Sequence, residues 1–161
     1  MNPDRPYPRD GSSRLHLVEE ALTHEIIGGF FETYNELGFG FRESIYKRGL
    51  EIVLRRRGLT VEREFPVEVF FQGTQIGFHR VDMLVDGRVI VEAKATHKLL
   101  YADKLQLMNY LAAMNLEVGL LLHFGPTARF ARVLGPRKLV IPRSDPENPG
   151  NPDSPPNDSS S

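Results

Sequence analysis

The chain of 161 residues contains no cysteine. That excludes a disulfide framework, a thiolate zinc site and a cysteine nucleophile together, and it fits a reducing, cytoplasmic compartment. No apolar run approaches the roughly 18 residues of a membrane span. The leading Met-Asn-Pro-Asp-Arg-Pro lacks the apolar stretch of a signal peptide. Proline is scarce in the middle: of 12 prolines, three lie in 3–8 and six in 142–156, leaving Pro66, Pro126 and Pro136 between. Net charge is nearly absent, with 20 Lys+Arg against 21 Asp+Glu. Nucleic-acid-binding domains are commonly basic, so this balance counts against such a partner unless the charge is unevenly spread.

It is unevenly spread. Residues 141–161 carry a net −3 and residues 1–13 carry zero, which leaves +2 for residues 14–140. The trailing Pro/Ser/Asn-rich segment has no periodicity and almost nothing apolar, so it cannot offset its ordering entropy. The reading is one domain over 14–140, between a disordered segment 1–13 and a disordered acidic tail 141–161. At 40% hydrophobic residues overall, a core of ordinary size is expected.

Periodicity supplies the elements. Leu15, Val18, Leu22, Ile26, Phe30, Tyr34 and Leu37 recur every three or four residues, predicting a helix over 15–37. Gly28-Gly29 inside it costs about 1–2 kcal/mol relative to alanine, so a close neighbour is expected there. Gly38-Phe39-Gly40-Phe41 breaks the helix. A second follows over 42–57, with Ile45, Tyr46, Gly49, Ile52 and Val53 inward and Gly58 as its stop. Residues 61–71 alternate as a strand. Gln72-Gly73-Thr74 turns into a strand over 75–85, and Asp86-Gly87 into one over 88–95. A helix at 101–115, an apolar strand at 118–122 and a short strand at 128–134 complete the order ααβββαββ, a mixed α/β sheet flanked by helices.

Residues 80–95, RVDMLVDGRVIVEAKA, carry the chemistry. A loop of Asp86 and Gly87 alone mixes valine with charge on both faces of the hairpin. One further residue in the loop sets Val85 against Val89, Met83 against Val91 and Val81 against Ala93, an all-apolar face. Burial selects that second register, because a one-residue slip turns every side chain over. Its other face opposes Leu84 to Ile90, Asp82 to Glu92 and Arg80 to Lys94. Two carboxylates directly across a ladder repel. Either a divalent cation relieves them, since hard cations take carboxylate oxygens, or Arg80 and Lys94 do so as a solvated salt-bridge network.

Asp82 followed by Glu92-Ala93-Lys94 resembles the signature of the PD-(D/E)xK nucleases, with Val81 in place of the usual proline. Gly40-Phe41-Arg42-Glu43-Ser44-Ile45-Tyr46 is similar to the GxxExxY motif of one small family in that superfamily, and Gln106 to Tyr110 resembles a QxxxY helix motif of other relatives. Together these cover about residues 20–135. The resemblance implies a restriction-endonuclease-like core and metal-dependent hydrolysis of phosphodiester bonds in DNA or RNA.

On that resemblance Asp82, Glu92 and the Ala93 carbonyl hold Mg²⁺, for which Mn²⁺ can substitute. Glu43 serves on that resemblance as a further ligand or catalytic carboxylate, and otherwise as a first-turn glutamate favoured by the helix dipole. Lys94 is catalytic: it shares a strand face with Glu92, and it orients water and balances charge, because two carboxylates and a phosphate favour the ammonium form. Gln106 and Tyr110 share a helix face; the resemblance implies that they contact substrate and assist catalysis, whereas pointing into the sheet Tyr110 would be ordinary core. Tyr46 is either core or a partner of a site carboxylate. His79 and His97 read as surface residues. Arg55-Arg56-Arg57 reads as a solvated helix end or a phosphate contact. Setting Glu43, Asp82 and Glu92 aside as a metal site leaves a scaffold of +5. A homodimer or partner protein would help so small a domain grip a duplex. The alternative is a catalytically silent nucleic-acid-binding or protein-interaction module of the same fold.

Overall fold

A computed structural model describes residues 12–136, and their side chains from Glu19 onward. The expected tail 141–161 and residues 1–11 of the leading segment lie outside the described residues. The elements are α1 (Ser12–Leu37), α2 (Glu43–Arg56), β1 (Val61–Phe71), β2 (Thr74–Val85), β3 (Val89–Lys94), α3 (Tyr101–Met114), β4 (Val118–Phe124) and β5 (Ala128–Leu134). The order is the ααβββαββ that periodicity predicts. α1 begins at Ser12, so Ser12 and Ser13 are helical. No described helix is long and apolar enough to cross a membrane.

The five strands form one sheet in the order β1-β2-β3-β4-β5, with β3 and β4 parallel and every other pair antiparallel. Parallel neighbours need a crossover, and α3 supplies it. Helices cover both faces. Leu22, Ile26 and Phe30 of α1 and Tyr46, Leu50 and Leu54 of α2 pack on Met83, Val85, Val89, Val91, Leu120, Leu122 and Phe124. On the other face Leu107 and Leu111 of α3 pack on Leu84, Ile90, Leu121 and Val133. Adjacent β3 and β4 residues thus serve opposite cores, as the period of two requires.

The glycine pair in α1 has its expected neighbour. A Cβ on Gly29 would stand 2.7 Å from Leu54 Cδ2 and 3.3 Å from Val53 Cγ1, so the bare backbone sets how closely α1 meets α2. The inward face of α2 differs from the expected one. Ile45 and Ile52 are 41% and 39% exposed, whereas Tyr46, Leu50, Val53 and Leu54 are buried. Tyr46 and Val53 are inward as expected, and so is Gly49, where a Cβ would stand 3.1 Å from Thr33 and 3.3 Å from Leu37 of α1; Leu50 and Leu54 take the inward places expected for Ile45 and Ile52.

The β2–β3 register is the one that burial selects: Val85 opposes Val89, Leu84 opposes Ile90 and Met83 opposes Val91. The apolar face expected to continue through Val81 does not. Val81 belongs to the α3 side with Leu84 and Ile90, although Met83 and Val85 face α1 and α2. β1 makes the same change: Val61 packs under α1 and α2, and Val67 under α3. The switch lies at Glu64, whose left-handed φ of 51° falls between the pairs Arg63–Met83 and Phe65–Val81. A residue there breaks the two-residue alternation. Beyond it the β1–β2 ribbon runs on as an arm with Phe70, Phe71, Ile76 and Phe78 exposed.

Candidate active site

Where β2 and β3 part, their side chains replace the ladder. Ala93 N–H donates to Asp82 Oδ2 at 2.8 Å, and Asp82 N–H donates to Glu92 Oε1 at 3.2 Å. Each carboxylate satisfies a backbone donor of the opposite strand. Both residues are only 7% exposed. Because the ribbon switches faces beside Asp82, the two carboxylates fill the gap instead of lying side by side on one flat face.

The charge arriving at the pair comes from both helical layers. Lys47, on α2, places its Nζ 2.6 Å from Asp82 Oδ1 and 3.2 Å from Glu43 Oε1. Burial pulls the Lys47 ammonium pKa down, but its hydrogen bonds and charge pairing with Asp82 and Glu43 outweigh that and raise it. From the α3 side, Lys94 Nζ lies 3.6 Å from Asp103 Oδ1. Asp103 Oδ2 accepts the Leu100 N–H at 3.0 Å, so one carboxylate both caps α3 and anchors Lys94. The expected Arg80–Lys94 opposition is absent: the β2–β3 ladder ends at Met83–Val91, and Arg80 lies 5.9 Å over the Phe78 ring.

Glu92 is the perturbed group. Burial, and next the charge of Asp82, push its carboxyl up to about 8, while the Asp82 N–H bond and then the Lys94 charge pull it back. Two carboxyls in contact and out of water share a proton or hold a cation. Tyr110 stands near enough that burial, and then the Glu92 charge, raise its phenol pKa. Its ring stacks on His79, with centroids 4.2 Å apart.

The remaining expected site residues fall as follows. Glu43 is the first residue of α2, where a carboxylate suits the helix dipole, and it meets Asp82 only through Lys47. Ala93 is fully buried between the carboxylates. Gln106 is exposed on α3, and no side-chain hydrogen bond joins it to the carboxylates among the described residues. Tyr46 is core: its ring stacks on Phe124 at 4.4 Å, and its hydroxyl donates to Gly38 O and accepts from Phe41 N–H. It clamps the α1–α2 loop and leaves the carboxylates alone. His97 is exposed, edge-on to Phe39. Of the three consecutive arginines, Arg55 bonds Glu51 and Arg57 bonds Glu25 and Glu32, so two of them serve the fold.

Sequence reasoning missed Lys47, Asp103 and His123. The Glu43–Lys47 spacing of four and the aspartate at the third position of α3 were the available signals. His123, 3% exposed, had none.

Among the described residues no group of three or more His, Asp or Glu side chains is placed to chelate an ion. Asp82 and Glu92 offer two converging carboxylates. Their mutual repulsion and burial suit a hard divalent cation that takes its other ligands from main chain and water.

No curated protein matches the chain. The crystal structure of SSO0001 is similar at 25% identity and a TM-score of 0.49, over 59% of this chain and 51% of that one. The chain therefore spans about half the length of that protein. The sequence profile of the PD-(D/E)XK nuclease superfamily matches residues 20–133. The mixed five-stranded sheet flanked by helices is consistent with that match, and the chain belongs to the PD-(D/E)XK nuclease superfamily.

Proposed function

We propose that this protein is a divalent-metal-dependent nuclease, Mg²⁺ being the natural ion, and that within its superfamily it belongs to the GxxExxY group. The observation that carries the activity is the buried contact of Asp82 with Glu92. A scaffold selected only for stability has no use for two desolvated carboxyls in contact. The group assignment is supported by what the motif residues do. Gly40 takes a φ of 116°, Glu43 opens α2 toward Lys47, and the Tyr46 hydroxyl holds the intervening loop.

Asp82, Glu92 and the Ala93 carbonyl would hold the ion, which supplies activation of a bound water and neutralisation of phosphate charge. Lys94 presents its ammonium beside Glu92 and balances charge as the phosphodiester reacts. Asp103 would steady that ammonium from the α3 side. Tyr110 and Gln106 line the α3 approach and orient substrate. Lys47 fixes Asp82 in its rotamer and holds Glu43 close by.

The test uses the full chain with single- and double-stranded DNA and RNA, in Mg²⁺ and in Mn²⁺. Wild type cleaves at least one of these, and Glu92→Gln and Lys94→Ala do not. Cleavage that persists unchanged in both variants marks a contaminant and defeats the assignment.

A further inference from the structure

β3 and β4 are the parallel pair, and their C-terminal ends open side by side into the loops 95–100 and 125–127. In open α/β sheets, ligands bind outside the carboxyl ends of such strands. An open cleft of about 470 Å³ lies there, lined by His97, Lys98, His123, Thr127 and Arg129 among others, and by no carboxylate. Lys98 and Arg129 are exposed. Neither joins an ion pair among the described residues, although Arg55, Arg57 and Arg63 all do.

Strand pairing relates the cleft to Lys94. Lys94 on β3 pairs with His123 on β4, and His123 pairs with Arg129 on β5. Residues paired across strands share a sheet face, so these three basic positions form one row, with Arg129 about 10 Å, or two strand spacings, from Lys94. His123 holds the cleft in shape. Its Nε2–H donates to the Thr96 carbonyl at 2.6 Å and thereby pins the loop that bears His97 and Lys98. Its Nδ1 is buried without a partner. Gly125 lets the facing loop close on the imidazole, where any Cβ would collide with the ring.

We propose that this cleft is a phosphate subsite, in which Lys98, Arg129 and the Thr127 hydroxyl hold a phosphate of the nucleic-acid strand beside the one that reacts. The inference rests on reading Asp82, Glu92 and Lys94 as a nuclease site, and it extends that reading to the path of the strand. Such contacts set register and carry no sequence information. The phosphate is either an internal diester, with two non-bridging oxygens, or a terminal 5′-monoester, with three and a higher charge; both present anionic oxygens to the same donors.

The test is fluorescence anisotropy of a labelled single-stranded oligonucleotide with the full chain, titrated with KCl in the absence of divalent metal. The variant is Lys98→Gln with Arg129→Gln, and the strand is supplied with a 5′-phosphate or a 5′-hydroxyl. The double variant is expected to lose about tenfold in affinity and to show a shallower salt dependence, by about 0.7 for each phosphate that is no longer neutralised on a single strand. Its Tm stays at the wild-type value, because neither side chain has an ion-pair partner among the described residues. Equal loss on both strands assigns an internal phosphate, and loss on the phosphorylated strand alone assigns a terminal one. Unchanged affinity and salt slope overturn the subsite. So does a weakened variant whose binding is not restored by Lys98→Arg with Arg129→Lys. Wild type that cleaves nothing while the double variant binds more weakly defeats the nuclease reading and leaves the subsite standing. Wild type that cleaves while the double variant binds normally does the reverse.

Discussion

Lys47 Nζ lies 2.6 Å from Asp82 Oδ1, closer than to the Glu43 carboxylate on its own helix. A helical i, i+4 pair has thus become the clip between α2 and the gap in the sheet. Lys47→Met removes the only cation bonded to Asp82 among the described residues. Breaking a largely buried pair from one side costs about 3 kcal/mol. The variant is expected to melt well below wild type without metal, and to recover more than wild type does when MgCl₂ is added, since an ion then replaces the missing ammonium. Equal Mg²⁺ shifts in thermal melts of the two proteins would contradict a cation site at Asp82.

On the proposed function, substitutions at Lys94 and Asp103 separate chemistry from stability. Their contact is 3.6 Å long and partly exposed, worth at most about 1 kcal/mol. Lys94→Ala should therefore leave Tm within a few degrees of wild type while lowering the cleavage rate about 10²-fold. Asp103→Asn keeps an oxygen for the Leu100 N–H but frees the ammonium. Its rate is expected to fall between those of wild type and Lys94→Ala. Single-turnover cleavage beside a melt of each variant decides the point.

The order of elements and the β2–β3 register are legible in the sequence because each rests on a local pattern: the 3.6-residue stripe of α1, the alternation of β1, and the burial of Val85, Met83, Val89 and Val91. The faces of β1 and β2 past Glu64 are not. Alternation assumes a straight strand, and nothing in Arg63-Glu64-Phe65 marks a left-handed residue, so alternation alone puts Val81 on the wrong side and Arg80 across from Lys94. Asp82 and Glu92 are legible as an opposed pair because their repulsion follows from register alone. Lys47 is hidden for the opposite reason. Its link to Asp82 joins residues 35 apart in sequence, and its spacing from Glu43 already offers a sufficient local explanation. α2 shows the limit of a short stripe, since Ile45 and Ile52 fit a helical period as well as Tyr46, Leu50 and Val53 do.

The adjacent glycines of α1 make a paired test of packing. A Cβ at Gly29 meets Leu54 Cδ2 at 2.7 Å and Val53 Cγ1 at 3.3 Å, both fixed in the core between α1 and α2. A Cβ at Gly28 meets only the guanidinium end of Arg57, at 3.0 Å. Each alanine gains about 1 kcal/mol of helix propensity. Gly29→Ala also overpacks, at a cost of about 1–3 kcal/mol, whereas Arg57 can shift. Urea denaturation is expected to show Gly28→Ala equal to or more stable than wild type and Gly29→Ala less stable. The reverse order would mean that the α1–α2 approach is looser than these distances.

Glu51 sets the acid limit of the fold. It is 4% exposed and bonds Arg48, Arg55 and Arg63, tying α2 to β1. Burial raises its carboxyl pKa, but the hydrogen bonds from Arg48 and Arg63 and the charges of Arg55 and Arg63 outweigh it, so the folded-state pKa lies below the ordinary 4.5. A carboxyl depressed by folding contributes its full stability above the unfolded-state pKa and loses it as pH falls through the folded one. Glu51→Gln removes the charge from that cluster and is expected to cost about 1 kcal/mol at neutral pH, because Arg48 and Arg55 are more than half exposed and stay solvated. The gap between variant and wild type should hold from pH 7 down to about 4.5 and close below that, as wild type takes up the proton that the glutamine cannot. Urea unfolding of both proteins across this range measures it. A gap that stays constant into acid would assign the Glu51 contribution to packing instead of charge.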